Sequence, residues 1–255
     1  MMGQTCTKDT HDGNDTSAAA AATNATTLNS THDEFRYLAL GDSYTIGYGV
    51  SPIERYPIQL ERKLLERHKQ KSIRSITTTI IARTGWTTKD LLNTILTDKR
   101  SLLEVQIPYG LLTICIGSNN QYQGQDIGTY EKELQQLLQH CLNLVANNDP
   151  RRIYVLSIPD YSYTPFGNDK IDNKQQKSII SNEIDLYNKS AQKVCLQYNI
   201  KFIDTITKLS RNKRISKLVL KSGGDGLHPN GEQYNKWITS FYKQIQLMIV
   251  KHDIP

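Results

Sequence analysis

From Glu34 onward, short apolar runs alternate with longer stretches in which apolar residues recur every three or four positions. Tyr37–Leu40, Ile76–Ala82, Leu111–Ile116, Ile153–Ile158 and Lys201–Ile206 read as buried strands. Between them, Leu134, Leu137, Leu138, Cys141, Leu142 and Val145 keep the spacing of one helical stripe. Ile180, Ile184, Tyr187, Ala191 and Val194 form a second stripe, and Tyr234, Trp237, Ile238, Phe241, Ile245 and Ile249 a third. Strands that alternate with helices need right-handed crossovers, so the pattern predicts an α/β fold with a five-stranded parallel sheet covered on both faces. Neither a repeat nor a second folded domain is visible, and residues 34–255 read as one domain.

Residues 1–33 differ from the rest. They are rich in Thr, Ala, Asn and Asp and hold almost no large apolar side chain. Such a segment buries too little surface to offset its ordering entropy, which predicts a disordered tail. Asn14, Asn24 and Asn29 begin Asn-x-Thr acceptors, meaningful only in a secreted chain. "MGQTCT" from Met2 fits an N-myristoylation pattern with Cys6 beside it for palmitate, provided Met1 is removed.

Composition narrows the classes further. At 255 residues and 38% hydrophobic content, the chain can bury a substantial core. No run reaches the roughly 18 apolar residues of a membrane helix, and no secretory signal is recognisable in the first residues. The four cysteines show no C-x-x-C pair and suit buried thiols in a reducing compartment, so a cytoplasmic location is expected. The net charge of +6 is concentrated in Lys208–Lys221, "KLSRNKRISKLVLK", which contains no acid. That stretch is either a solvated loop or a device that steers an anionic partner.

In a parallel sheet, ligands meet the loops that leave the carboxyl ends of the strands. "GDSYT" with Ser43 follows the first strand, "ARTGWTT" with Gly85 the second, and "CIGSNNQYQG" with Asn119 and Asn120 the third. "GGDGLHPNGEQ", with Asp225 and His228, precedes the last helix. Each has an ordinary structural use, because Asp and Ser start helices and Asn230 can cap one. Together they supply what a serine nucleophile needs: a base, a group to orient the base, and donors for an oxyanion. Asp225, three residues before His228, can reach the ring nitrogen facing away from Ser43. The N–H groups of Ser43 and Gly85 and the Asn119 amide can donate to the oxyanion. No third ligand joins Asp225 and His228, so neither a metal nor another cofactor is expected.

These blocks resemble those of the SGNH (GDSL-type) hydrolases, most nearly the lysophospholipase-like esterase branch. "GDSYT" matches block I with Tyr44 in place of leucine, Gly85 in "RTGWT" block II, Asn119 in "GSNN" block III, and "DGLHP" block V. The resemblance spans about residues 35–250 in block order and spacing. It implies a flavodoxin-like three-layer αβα fold and metal-independent hydrolysis of an acyl ester or thioester through an acyl-Ser43 intermediate. By position, Ser43 is nucleophile and oxyanion donor, Gly85 and Asn119 are oxyanion donors, His228 is base and Asp225 orients it. Block III usually ends in aspartate, whereas this chain has Asn120, which keeps an acceptor oxygen and loses the charge.

The expected partner is a small-molecule acyl ester of lysophospholipid, thioester, simple ester or acylated-carbohydrate type, with no nucleic acid and no transmembrane segment. Tyr122 and the loop "DYSYTPFGND" are expected to wall the pocket. The rival is a catalytically silent module of the same fold that binds anionic partners through residues 208–221. Other nucleotide or hydrolase motifs are excluded, since neither G-x-S-x-G nor a phosphate-binding glycine loop occurs.

Overall fold

Alternation within the first strand explains the layering. In the computed structural model, which describes residues 34–68, 75–97, 108–171, 173–220 and 224–251, strand β1 spans Glu34–Gly41. Leu38 and Leu40 point into one apolar cluster, and Tyr37 and Ala39 into another on the opposite face. Side chains of a strand alternate between faces, so the unbroken apolar run Tyr37–Leu40 needs cover on both.

The chain continues through α1 (Ser43–Ile46), α2 (Tyr56–His68), β2 (Ser75–Ala82) and α3 (Thr88–Thr97). Next come β3 (Leu111–Cys115), α4 (Ser118–Tyr122), α5 (Ile127–Leu142), β4 (Ile153–Leu156), α6 (Pro165–Lys170) and α7 (Lys174–Gln197). Strand β5 (Lys201–Ile203), α8 (Thr205–Ser210) and α9 (Gly231–Lys251) complete it. All five strands are parallel, in the order β2-β1-β3-β4-β5. Stripes from α3, α5 and α7 fill one cluster, and those of α2 and α9 the other, giving the three-layer αβα arrangement. These residues belong to one compact unit, His32–Pro255. The expected tail at residues 1–33, with its acylation and Asn-x-Thr patterns, lies outside the described residues.

Four features differ from the sequence reading. The run Ile76–Ala82 is an edge strand, buried only at Ile76 and Ile81, because its middle is threonine-rich and only partly covered. The run Lys201–Ile206 leaves the sheet after Ile203, and Ile206 is buried on α8 instead. Isoleucines three apart satisfy a helix as well as a strand end, and the Thr207 N–H is held by the Ser157 hydroxyl at 3.1 Å. Strand β4 likewise ends at Leu156, where the Ile158 N–H turns to the Asn188 side-chain oxygen at 3.0 Å. Val145 lies beyond α5, buried in an isolated bridge with Tyr109.

The expected buried thiols are present, since Cys115, Cys141 and Cys195 are free and enclosed; Cys6 lies outside the described residues. Burial raises the pKa of each thiol. Among the described residues, no helix is long and apolar enough to cross a membrane, and no cluster of three or more metal-ligating side chains occurs.

Candidate active site

β1 lies between β2 and β3, so the loops leaving these three strands share one sheet edge. At the end of β1 the backbone turns directly into α1. Gly41 is required there, because a Cβ would lie 2.2 Å from the Cys115 carbonyl oxygen. Asp42, not Ser43, caps the helix, its side chain accepting from the Tyr44 N–H at 2.9 Å. Ser43 is therefore the first helical residue, where its own N–H has no intrahelical acceptor.

His228 arrives from the other end of the chain. Its Nε2 lies 2.8 Å from the Ser43 Oγ, across 185 residues of sequence. Its Nδ1 hydrogen-bonds to Asp225 Oδ2. Asp225 Oδ1 also accepts the N–H groups of Leu227, at 2.9 Å, and His228, at 3.0 Å. Burial alone would raise the Asp225 carboxyl, but the bonds from His228 and Leu227 outweigh it and hold the group below its ordinary range. A carboxylate at Nδ1 keeps the proton there, which leaves Nε2 free to accept from the serine hydroxyl. Asn230 accepts the Gln233 N–H at 2.9 Å, so the segment after the histidine starts α9 as its sequence suggests.

The remaining predicted residues converge on the same pocket. Ser43, Gly85, Asn119, Tyr122, Asp225 and His228 all line a cavity of about 350 Å³. Gly85 has a φ of +86°, and a Cβ there would meet nothing within 4 Å, so it would project into open pocket space. Its N–H has no hydrogen bond among the described residues. The Asn119 amide nitrogen donates to the Trp86 carbonyl at 3.0 Å and, more weakly, to Asp42 Oδ2 at 3.4 Å. Tyr161 and Phe166 of the expected loop form further wall.

Asn120 is fully buried and ties the second loop to the third. Its oxygen accepts the Thr88 N–H at 3.1 Å, as expected of an acceptor kept without charge. Its amide adds two further bonds, to the Thr88 hydroxyl at 2.7 Å and to Gln125 Oε1. Thr88 in turn donates to Glu133 at 2.5 Å, and Gln125 Nε2 to the same carboxylate at 3.3 Å.

Several contributors were not foreseen. The ring of Tyr48 stands 4.8 Å from that of His228 and the ring of Tyr44 5.3 Å, so two tyrosines confine the imidazole. The histidine that Tyr48 meets is far away in sequence, so the neighbours of Tyr48 give no sign of the contact. Asp42 is enclosed beside the pocket, and burial pushes its carboxyl up to about 7. The stretch Lys208–Lys221 is partly neutralised by acids from elsewhere. Lys208 pairs with Asp204, and Arg211 with Asp160 at 2.8 Å and Asp185 at 2.9 Å.

The fold and the residues gathered at its carboxyl edge have the arrangement expected of a serine-type acyl-ester hydrolase. The sequence pattern of the GDSL-like lipase/acylhydrolase family matches residues 39–236, and the chain belongs to that family, making it a carboxylic ester hydrolase. No curated protein sequence matches. Among solved structures it is similar to a lipase/acylhydrolase from Enterococcus faecalis, at 18% identity and a TM-score of 0.60, covering 83% of this chain and 95% of that one. It is also similar to the psychrotrophic esterase EstA from Pseudoalteromonas sp., at 16% identity and a TM-score of 0.58, with 84% and 98% covered. A variant of Axe2, an acetyl-xylooligosaccharide esterase from Geobacillus, matches at 18% identity and a TM-score of 0.58, covering 83% and 94%. At such identities these likenesses establish the shared fold.

Proposed function

We propose that this chain hydrolyses esters or thioesters of short acyl groups through an acyl-Ser43 intermediate, without a metal. The observation that carries the reading is the 2.8 Å approach of His228 Nε2 to the Ser43 Oγ, with Asp225 behind the ring. Ser43 Oγ attacks the acyl carbon as Nε2 takes its proton, and the carbonyl electrons move onto oxygen. The N–H groups of Ser43 and Gly85 and the Asn119 amide bind that oxyanion, which replaces the long Asp42 contact of the amide. Collapse breaks the bond to the leaving group, which takes the proton from the imidazolium. Water then attacks the acyl-serine by the same route, and the carboxylic acid departs.

The size of the pocket supports a small acyl group. About 350 Å³ lies at the lower end for ligand sites, and Tyr44, Tyr122, Tyr161, Phe166 and Leu227 supply its apolar walls. Acetyl-type esters fit this space better than long-chain lysophospholipids. The silent-module reading is disfavoured, because the groups the chemistry needs line one cavity and the basic stretch is partly paired.

A fluorophosphonate probe tests the mechanism. Ser43 of the native protein should be labelled, Ser43→Ala should not be, and His228→Ala should label far more slowly. Asp225→Asn should slow labelling as well, since the ring loses its orienting carboxylate. Labelling of His228→Ala at the native rate would refute the base assignment. An aryl-ester series from acetyl to palmitoyl should peak at the short end, and a palmitoyl optimum would refute the size argument.

A further inference from the structure

We infer that a second cavity, beside the ester pocket, is a binding site for the phosphate group of a small phosphorylated molecule. It has a volume of about 700 Å³ and is lined by residues of the 162–168 segment, of α7 and of the 211–217 segment. Five cations border it: Lys174, Lys177, Arg211, Lys213 and Lys217. Asp185 is the one carboxylate among the lining residues.

The charges do not cancel locally. Arg211 is committed, to Asp160 at 2.8 Å, to Asp185 at 2.9 Å and to the Ser181 carbonyl at 3.0 Å. Lys177 donates to the neutral Asn168 side chain at 2.6 Å. Lys174, Lys213 and Lys217 have no carboxylate partner among the described residues. Like charges gathered around one concavity repel one another, and a bound anion relieves that repulsion.

Neutral donors complete the lining. The side chains of Ser178, Asn182 and Ser216 make no hydrogen bond among the described residues, although Ser216 is buried. Ser162 and Ser181, by contrast, spend their hydroxyl protons on the enclosed Asp160, at 2.6 and 2.7 Å. Ammonium groups with free hydroxyl and amide donors suit an oxyanion with several acceptor oxygens. A phosphate offers these; a carboxylate offers fewer.

Position relates this site to the chemistry. The segment from Asp160 to Asn168 is a shared wall: Tyr161 and Phe166 line the ester pocket, while Ser162, Tyr163 and Asn168 line the basic cavity. The Phe166 N–H also donates to the Gly226 carbonyl at 3.0 Å, between Asp225 and His228. The phosphate is either part of the ester substrate or belongs to a separate effector, and the first alternative rests on the hydrolase reading above.

Calorimetric titration with inorganic phosphate and with glycerol 3-phosphate tests the site directly. Saturable binding that weakens with salt is expected. It should weaken at least tenfold in the triple variant Lys174→Gln, Lys213→Gln, Lys217→Gln, whose exposed positions leave hydrolysis of 4-nitrophenyl acetate unchanged. Loss of that hydrolysis in the wild type would sink the ester reading while leaving phosphate binding to stand by itself. A kcat/KM preference for 1-acetylglycerol 3-phosphate over 1-acetylglycerol, abolished in the triple variant, assigns the phosphate to the substrate. Equal rates with intact binding assign it to an effector. No saturable phosphate binding, binding unaltered in the triple variant, or binding of duplex DNA alone would overturn the inference.

Discussion

Replacing Asn120 by aspartate, the residue this family usually carries there, should damage this particular protein. The asparagine amide donates to two acceptors, the Thr88 hydroxyl and Gln125 Oε1, and an aspartate donates to neither. Thr88 could turn its proton toward the new carboxylate only by releasing Glu133. Gln125 could reverse its amide only by aiming its oxygen at Glu133, which now receives its Nε2. Two hydrogen bonds are lost in either arrangement, at about 1–1.5 kcal/mol each, and a second carboxylate enters a buried network. The sum is about 3 kcal/mol, equivalent to a fall in Tm of about 6–12 °C for a domain of this size. Turnover should also drop, by about tenfold, because the Thr88–Asn120 pair clamps the loops that carry Gly85 and Asn119. Thermal unfolding followed by circular dichroism measures the first effect, and 4-nitrophenyl acetate hydrolysis the second. Adding Glu133→Gln should recover most of the loss, since its amide can donate to Thr88 and Gln125 and reverse the polarity of the whole ring. A single variant as stable as wild type, or a double variant no better than the single, would refute the reasoning.

Asn119→Ala should remain folded and lose on the order of 10²–10³ in kcat, the usual loss for one oxyanion donor, with little change in KM; normal turnover would remove Asn119 from that role. Asp42 makes stability pH-dependent. Its folded pKa of about 7 lies above the ordinary 3.8, so its favourable contribution is complete below about pH 4 and lost as pH rises through 7. About three units correspond to about 4 kcal/mol. Denaturant midpoints between pH 4 and 8 should therefore fall for the wild type relative to Asp42→Asn, and parallel profiles would exclude the effect.

Much of this was legible along the chain because it depends on neighbours in sequence. β1 and β3 announce themselves by unbroken apolar runs, and α5, α7 and α9 by their stripes. Asp225 and His228 lie three residues apart in a glycine-containing loop, so their pairing needed no knowledge of the sheet. What stayed hidden depends on how strands are ordered. Ile76–Ala82 could not be recognised as an edge without knowing that only β1 pairs with it. The Trp86 carbonyl as partner of Asn119, the ring of Tyr48 beside His228, and Arg211 reaching Asp160 all join segments distant in sequence. Asp42 as cap was hidden for a different reason: two adjacent residues were equally suited, and only the backbone turn at Gly41 decides between them.

The separation of 185 positions between Ser43 and His228 has a consequence for the protein's birth on the ribosome. Chains are made and domains begin to fold from the amino end, so the serine emerges long before the histidine exists. Strand β1 becomes central only when β3 pairs with it, and His228 is held in place only when α9 packs on α2 and the sheet. On the mechanism proposed above, a nascent chain is therefore silent toward esters until its last helix docks. Turnover of a fluorogenic ester during synthesis would record the moment of completion, and any hydrolysis ahead of it would come from another protein.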